Sequence, residues 1–142
     1  MDQRVLIADD DPALQDVLEI ALALNSYSPQ VHGTREAVVS ALRTEHWDLI
    51  LLDTLGAAPG EETSMLTSIS KLAGSTPVLL MTGSTTLAEW AQSNLKLAGI
   101  LVKPFELEPF LGRVAEAVKA PVSLTQKRNR SPLFSTSFFK RR

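Results

Sequence analysis

The chain is 142 residues long and 44% hydrophobic, which suits one ordinary domain with a tail rather than two domains. It has no cysteine and two histidines, which excludes disulfides, thiol nucleophiles and cysteine- or histidine-rich metal sites. Any bound metal must therefore be held by oxygen atoms. The apolar runs are shorter than the roughly 20 residues of a membrane helix, and no signal-like segment opens the chain. We expect a cytoplasmic protein without a transmembrane segment.

The charges are distributed unevenly. Residues 1–120 hold 8 basic and all 16 acidic residues, a formal charge of −8, whereas residues 121–142 hold 6 basic residues and no acidic one. An acidic body is repelled by nucleic-acid phosphates, so only the tail could bind a nucleic acid. We predict one domain over residues 1–120 and a basic, disordered tail over residues 121–142. The alternative is that the tail contacts an acidic partner, a membrane surface or nucleic acid.

The apolar pattern predicts a doubly wound α/β fold with a five-stranded parallel sheet. Short apolar runs alternate with segments whose apolar residues recur at helical spacing, as in repeated β–α units. The predicted strands span residues 5–8, 29–32, 49–52, 78–81 and 100–102, of which the second is the weakest. No P-loop or glycine-rich dinucleotide motif is present, so nucleotide binding by such loops is not expected.

Several residues mark where the predicted helices begin and end. Asp11 and Pro12 are suited to the cap and first position of the first helix, and Thr34 is a candidate cap for the second. Gly99 is expected to end the fourth helix. Pro109 is compatible only with the first turn of the last helix. Because Asp11 is explained as a cap, it is left out of the candidate site.

Polar residues directly follow four of the predicted strands: Asp9 with Asp10, then Asp53, Thr82 and Lys103. In a parallel sheet ligands bind at the carboxyl ends of the strands, so these residues should converge. Crowded carboxylates repel one another unless a cation neutralises them, and a site of oxygen donors suits Mg²⁺ or Mn²⁺. Phosphoryl transfer needs an acceptor oxygen and neutralised charge. Asp53 can be the acceptor. The metal and Lys103 can neutralise the charge of the phosphoryl group, and Thr82 can donate a hydrogen bond from its hydroxyl.

Four segments in this order resemble the receiver domains of two-component response regulators. They are residues 5–12 (VLIADDDP), 48–53 (DLILLD), 78–83 (VLLMTG) and 101–105 (LVKPF), and the match runs over about residues 3–120. The resemblance implies a flavodoxin-like receiver fold. It also implies that Asp9 and Asp10 hold the metal, that Asp53 becomes an aspartyl phosphate, and that the backbone carbonyl of Leu55 completes the coordination.

The resemblance further implies how such a domain would signal. Lys103 would pair with the phosphoryl group, the peptide between Lys103 and Pro104 would be cis, and Thr82 would shift toward the phosphate on activation. The phosphodonor would be a histidine kinase or a phosphotransfer protein, and the output would be contact with a downstream protein. Residues 84–118 would form a homodimer face. The domain would catalyse at most its own phosphorylation and dephosphorylation.

Two places depart from the family pattern. After the acceptor, Ala57 and Glu61 stand where a proline and a glycine are usual, so the loop beside the site should have a different shape. Ile100 replaces an aromatic residue that usually lies three residues before the lysine. Thr82 would then move without its usual aromatic partner.

Two other functions stay open. A receiver-like interaction scaffold with little or no phosphorylation is suggested by Ile100 and the altered loop. A metal-dependent phosphohydrolase could use the same carboxylates, although no second general acid stands next to Asp53 in the sequence. The remaining histidines and tryptophans are interpreted as packing or surface residues: His32, His46, Trp47 and Trp90.

Overall fold

A computed structural model describes residues 2–119 of the chain. Five parallel strands form one sheet in the order β2-β1-β3-β4-β5, and a helix follows each strand. The elements are β1 (Gln3–Ala8), α1 (Pro12–Leu24), β2 (Tyr27–His32), α2 (Arg35–Thr44), β3 (Leu49–Leu52), α3 (Glu62–Ala73), β4 (Val78–Thr82), α4 (Thr85–Asn94), β5 (Gly99–Val102) and α5 (Leu107–Lys119). The predicted doubly wound, flavodoxin-like fold is confirmed. The predicted tail lies outside the described residues.

The sheet separates two hydrophobic cores. Side chains alternate between the two faces of a strand, so Leu6 enters one core while Val5 and Ile7 enter the other. The first core lies under α2, α3 and α4, and the second lies under α1 and α5. Because the inner strands are buried on both faces, they read as continuous apolar runs in the sequence.

Side-chain caps fix the starts of the first two helices. The Asp11 carboxylate accepts a hydrogen bond from the Ala13 N–H at 3.0 Å, and Pro12 occupies the first position of α1. The Thr34 hydroxyl accepts one from the Ala37 N–H at 3.1 Å at the start of α2. Both predicted caps are confirmed, and Asp11 has the structural contact expected of it.

The second strand is longer than predicted. It begins at Tyr27 rather than at residue 29, since its pairing with β1 starts where Gln3 lies opposite Tyr27. Pro29 lies inside the strand, which is tolerated because β2 is an edge strand of the sheet. Pro109 lies in the first turn of α5, as predicted. Proline at these two places does not interrupt an inner ladder.

The predicted end of the fourth helix was wrong. The helix ends at Asn94, and Gly99 is the first residue of β5, where it pairs with Leu79. The Ala98 N–H already donates to the Val78 carbonyl at 2.7 Å. The backbone therefore joins the sheet before the glycine is reached, and the glycine does not act as a helix stop.

Three of the residues interpreted as packing or surface residues have such positions: Trp47, Trp90 and His46. Trp47 is buried, its ring N–H donates to the Ala41 carbonyl at 3.0 Å, and the Arg4 guanidinium lies 4.1 Å from its ring centroid. Trp90 packs against the first core, and His46 lies at the surface.

Within residues 2–119, no helix combines the length and apolar character needed to cross a membrane.

Phe110 should be a principal contributor to the second core. Its side chain is fully buried and stacks on Phe105 with the ring centroids 5.6 Å apart. We expect Phe110→Ala to lower the free energy of unfolding by about 3–5 kcal/mol, measured by urea denaturation. Leu107→Ala, on the same helix but 42% exposed, is the control and should cost much less. Equal losses in the two variants would contradict this packing.

Candidate functional site

The carboxyl ends of four strands bring the five predicted side chains to one edge of the sheet: Asp9, Asp10, Asp53, Thr82 and Lys103. Backbone hydrogen bonds hold neighbouring strand ends in register. The Asp53 N–H donates to the Ala8 carbonyl at 2.8 Å, and the Lys103 N–H donates to the Thr82 carbonyl at 2.8 Å. The residues that sequence reasoning selected therefore share one rigid edge, as the parallel sheet requires.

Three carboxylates form a compact cluster at this edge. Each of Asp9, Asp10 and Asp53 offers a carboxylate oxygen, and these oxygens lie within 4.8 Å of one another. Asp9 is fully buried, Asp53 is almost buried, and Asp10 is exposed. Burying two negative charges beside a third is unfavourable without a cation. A set of oxygen donors that is open to solvent on one side fits Mg²⁺, which keeps several of its waters.

The Lys103 ammonium lies between the two buried carboxylates. Its Nζ is 2.7 Å from Oδ2 of Asp9 and 3.1 Å from Oδ1 of Asp53. The lysine side chain is 24% exposed, so these contacts are only partly screened by water. One cation thus neutralises part of a cluster that holds three acids.

The pKa values of Asp9 and Lys103 follow from this arrangement. Burial raises the pKa of Asp9, and hydrogen bonds from Lys103 and from the Asp11 N–H only partly reverse that rise. Burial lowers the pKa of Lys103, but its contacts with Asp9 and Asp53 outweigh burial, so the net shift is upward. The ammonium is therefore protonated at neutral pH.

The three acids differ in how many partners they have. One oxygen of Asp9 accepts from the Asp11 N–H at 2.9 Å and the other accepts from Lys103, so both are occupied. Both oxygens of Asp53 also accept hydrogen bonds, one from Lys103 and one from the Leu55 N–H at 3.1 Å. Asp10 makes no side-chain hydrogen bond to any residue between 2 and 119. Its carboxylate is the one most available to a metal.

The loop after β3 folds over the acidic cluster. Leu55 has a φ of 56° and Gly56 a φ of 73°, both in the left-handed region. A Cβ on Gly56 would lie 3.1 Å from Oδ2 of Asp10, so the glycine permits a close approach of this loop to that carboxylate. The described contact of Leu55 with the site is through its N–H. A metal contact by its carbonyl stays a prediction.

Thr82 lies at the end of β4 with its hydroxyl held by the following turn. The hydroxyl oxygen accepts from the Ser84 N–H at 3.0 Å, and the residue is 5% exposed. Ile100 is buried in the first core beside Leu80. The aliphatic side chain of Ile100 therefore fills the core at the position where an aromatic residue is usual. The peptide between Lys103 and Pro104 is cis, as predicted.

Sequence reasoning missed three residues that support the site. The Gln15 side-chain amide donates to the backbone carbonyl of Asp9 at 2.5 Å. A Cβ on Gly33 would lie 3.0 Å from that amide nitrogen, so a larger residue there would require the Gln15 side chain to shift, and a Cβ on Gly56 would similarly crowd the Asp10 carboxylate. A glycine directly after a strand was a usable signal for Gly33. No local pattern indicated Gln15.

Removing the Lys103 charge should destabilise the fold. We expect Lys103→Met to cost about 3 kcal/mol at pH 7, the lower end for a broken buried ion pair, because the side chain is partly exposed. The loss of the ammonium raises the folded-state pKa of Asp9 further above its unfolded value near 3.8. The deficit should therefore grow as the pH rises from that value and shrink as the pH falls toward it.

Denaturation curves at several pH values test this expectation. Lys96→Met removes an exposed lysine that has no ion pair within the described residues, and it should change stability by less than about 0.5 kcal/mol. In the double variant Asp9→Asn/Lys103→Met, part of the loss should be recovered. Strictly additive losses would show that the two side chains are not coupled.

Comparison with known proteins agrees with this geometry. The family pattern described as "Response regulator receiver domain" matches residues 5–115. The DNA-binding response regulator MtrA of Mycolicibacterium smegmatis is 28% identical over 115 residues, which are 80% of this chain and 50% of that protein. The chain thus spans about half the length of this relative.

Solved structures agree in fold. A CheY-like response regulator receiver domain protein from Methanospirillum hungatei has a TM-score of 0.73 at 22% identity, covering 90% of this chain and 99% of that one. The receiver domain of the sensor histidine kinase PA1611 from Pseudomonas aeruginosa has a TM-score of 0.69 at 17% identity, covering 84% and 100%. Since the family pattern covers most of the sequence, this chain belongs to the response regulator receiver family of two-component systems.

Proposed function

We propose that Asp53 accepts a phosphoryl group from a histidine kinase or a phosphotransfer protein in a Mg²⁺-dependent reaction. The observation that carries the proposal is the Lys103 ammonium, 2.7 Å from Asp9 and 3.1 Å from Asp53, beside a cluster of three carboxylates. Acyl-phosphate formation needs a carboxylate nucleophile next to positive charge, and this edge of the sheet supplies both. Family membership supports the same role.

The proposed chemistry is a displacement at phosphorus. A carboxylate oxygen of Asp53 forms a bond to phosphorus while the bond to the donor breaks and the donor leaves, which gives an aspartyl phosphate. Lys103 is close enough to Asp53 to pair with an oxygen of the transferred group. Thr82, at the end of the neighbouring strand, accepts from the Ser84 N–H through its hydroxyl oxygen and can still donate its hydroxyl hydrogen to a phosphoryl oxygen.

Asp9, Asp10 and Asp53 would hold the metal, with the Leu55 carbonyl as a further ligand. A divalent ion bound there supplies positive charge to the phosphoryl oxygens. The receiver domain of PA1611 is described with a magnesium ion coordinated in its active-site cleft, which supports this assignment by analogy. Mn²⁺ has the same preference for oxygen donors and should substitute.

The proposed output is protein contact. Residues 84–118 contain α4, β5 and α5, which directly follow Thr82 and include Lys103, so a change at the site would reach this face first. We propose it as the surface for a homodimer or a downstream protein. The acidic body is not proposed to bind nucleic acid. A cytoplasmic location stays a prediction, as does the expectation that the domain catalyses only its own phosphorylation and dephosphorylation.

Intact-mass measurement tests the acceptor. After treatment with a small phosphodonor and Mg²⁺, the wild-type chain should gain the mass of one phosphoryl group, and Asp53→Asn should gain none. Glu61→Gln removes an exposed acid from the same loop and should be modified like the wild type. Modification of Asp53→Asn to the wild-type extent would disprove the assignment.

Metal binding should stabilise the fold through Asp10. At about 100 times its Kd, Mg²⁺ should add about 2.7 kcal/mol to the free energy of unfolding. Asp10→Asn should abolish most of this gain, because its carboxylate is the one with no other partner among the described residues. Asp11→Asn is the matched control, since asparagine also caps helices well. Unfolding with Mg²⁺ and with a chelator measures both, and an equal gain in Asp10→Asn would contradict the proposed ligand set.

A scaffold that signals little is the second candidate, and one observation favours it. Ile100 is 3% exposed and belongs to the first core, so no aromatic ring stands ready to turn when Thr82 moves. Under this alternative, the wild-type chain would gain no phosphoryl mass, although Mg²⁺ could still bind the acidic cluster. The phosphorylation experiment therefore separates the two candidates.

A further inference from the structure

We propose that an exposed apolar stripe on α1 is a docking surface for the chain's own basic C-terminal segment, residues 121–142. The stripe consists of Ala13, Val17, Ile20 and Leu24. These residues are spaced four, three and four positions apart, so they lie along one side of the helix. All four are exposed. The proposal does not depend on phosphorylation of Asp53.

The exposure of this stripe is unusual for the molecule. Val17 is 45% exposed, Ile20 61% and Leu24 80%. Among residues 2–119, four large apolar side chains are strongly exposed, and three of them belong to this stripe. Scattered exposed apolar residues are normal, but a continuous row along one helix indicates a surface that binds something.

The charge beside the stripe restricts what can bind. Asp16 and Glu19 are exposed next to it, and α1 contains no lysine or arginine. A second copy of the same face would bring acids against acids, and nucleic acid would be repelled, so both are disfavoured. The complementary occupant has apolar side chains and positive charge.

The segment at residues 121–142 has this composition. It carries six basic residues and no acidic residue. Its large apolar side chains are Val122, Leu124, Leu133, Phe134, Phe138 and Phe139. The aromatic pair is followed directly in the sequence by Lys140, Arg141 and Arg142, so this segment offers apolar and basic groups to a surface that offers apolar and acidic ones.

The topology places the stripe within easy reach. Helices α1 and α5 cover the same face of the sheet, since both contribute to the second core. Each helix follows a parallel strand and runs back toward the end of the sheet where the strands begin. The last residues of the two helices, Leu24 and Lys119, therefore lie at that same end. Helix α1 is about 20 Å long, and 22 residues can span up to roughly 70 Å. The chain can therefore cover the stripe without strain.

The absence of cysteine allows a direct test in the full-length chain. Ser137→Cys provides a single site for a nitroxide spin label beside the aromatic pair. A short tether gives an effective concentration on the order of millimolar, so even a contact with a Kd of about 1 mM would be about half occupied. We expect amide signals from residues 17–24 to lose most of their intensity, because so weak a contact exchanges quickly and the strong broadening of the bound form is averaged over all molecules. Signals from α2, on the other face of the sheet, should be unaffected.

Two variants remove the surface in different ways. Ile20→Ser/Leu24→Ser removes the apolar contact, and Asp16→Lys/Glu19→Lys reverses the charge, so either should restore the α1 signals. Raising the salt concentration from 0.01 to 1 M shortens the Debye length from about 30 Å to about 3 Å and should restore them partly. Leu107→Ser removes an exposed apolar residue outside the stripe and should leave the broadening unchanged.

Three results would overturn the proposal. The first is no stronger broadening on α1 than on α2. The second is broadening on α1 that persists in both stripe variants. The third is equal broadening when isotope-labelled wild type is mixed with unlabelled, spin-labelled chain, because that result would assign the contact to a second molecule.

Discussion

The bridging of Asp9 and Asp53 by one ammonium is the interaction on which the candidate site depends. Folding takes two carboxylates out of water and places a third beside them, which would be unfavourable without Lys103. One lysine does not balance three acids. The cluster therefore keeps an excess of negative charge, and the exposed carboxylate of Asp10 is placed where a further cation could be bound.

The parallel sheet allows this arrangement with little further loss of conformational entropy. Four strands end at one edge, and backbone hydrogen bonds such as that from Asp53 to the Ala8 carbonyl fix their ends relative to one another. Residues from distant parts of the sequence thus converge without any long flexible loop. The loops add the finer adjustments, as where Gly56 lets the backbone approach Asp10. The strands fix the positions of the site side chains, and the loops determine how closely the backbone approaches them.

The sequence was most informative where burial is complete. The inner strands are apolar on both faces, so their positions, and with them the residues that follow them, could be predicted from short apolar runs. The edge strand β2 is half exposed and contains Pro29, so its start at Tyr27 carried little signal. Gln15 could not have been found, because its contact with the Asp9 carbonyl depends on how α1 packs beside the β1 end.

Helix α1 contacts the candidate site with one side and presents the apolar stripe to solvent with the other. Gln15 faces the Asp9 carbonyl, while Val17 and Ile20 face solvent. A segment bound to the outer side can affect the acidic cluster only if it prefers one position of the helix, since a ligand without such a preference shifts no equilibrium. If that preference exists, thermodynamic linkage requires reciprocity. Metal binding would then change the equilibrium constant for docking on the stripe by the same factor by which docking changes metal affinity.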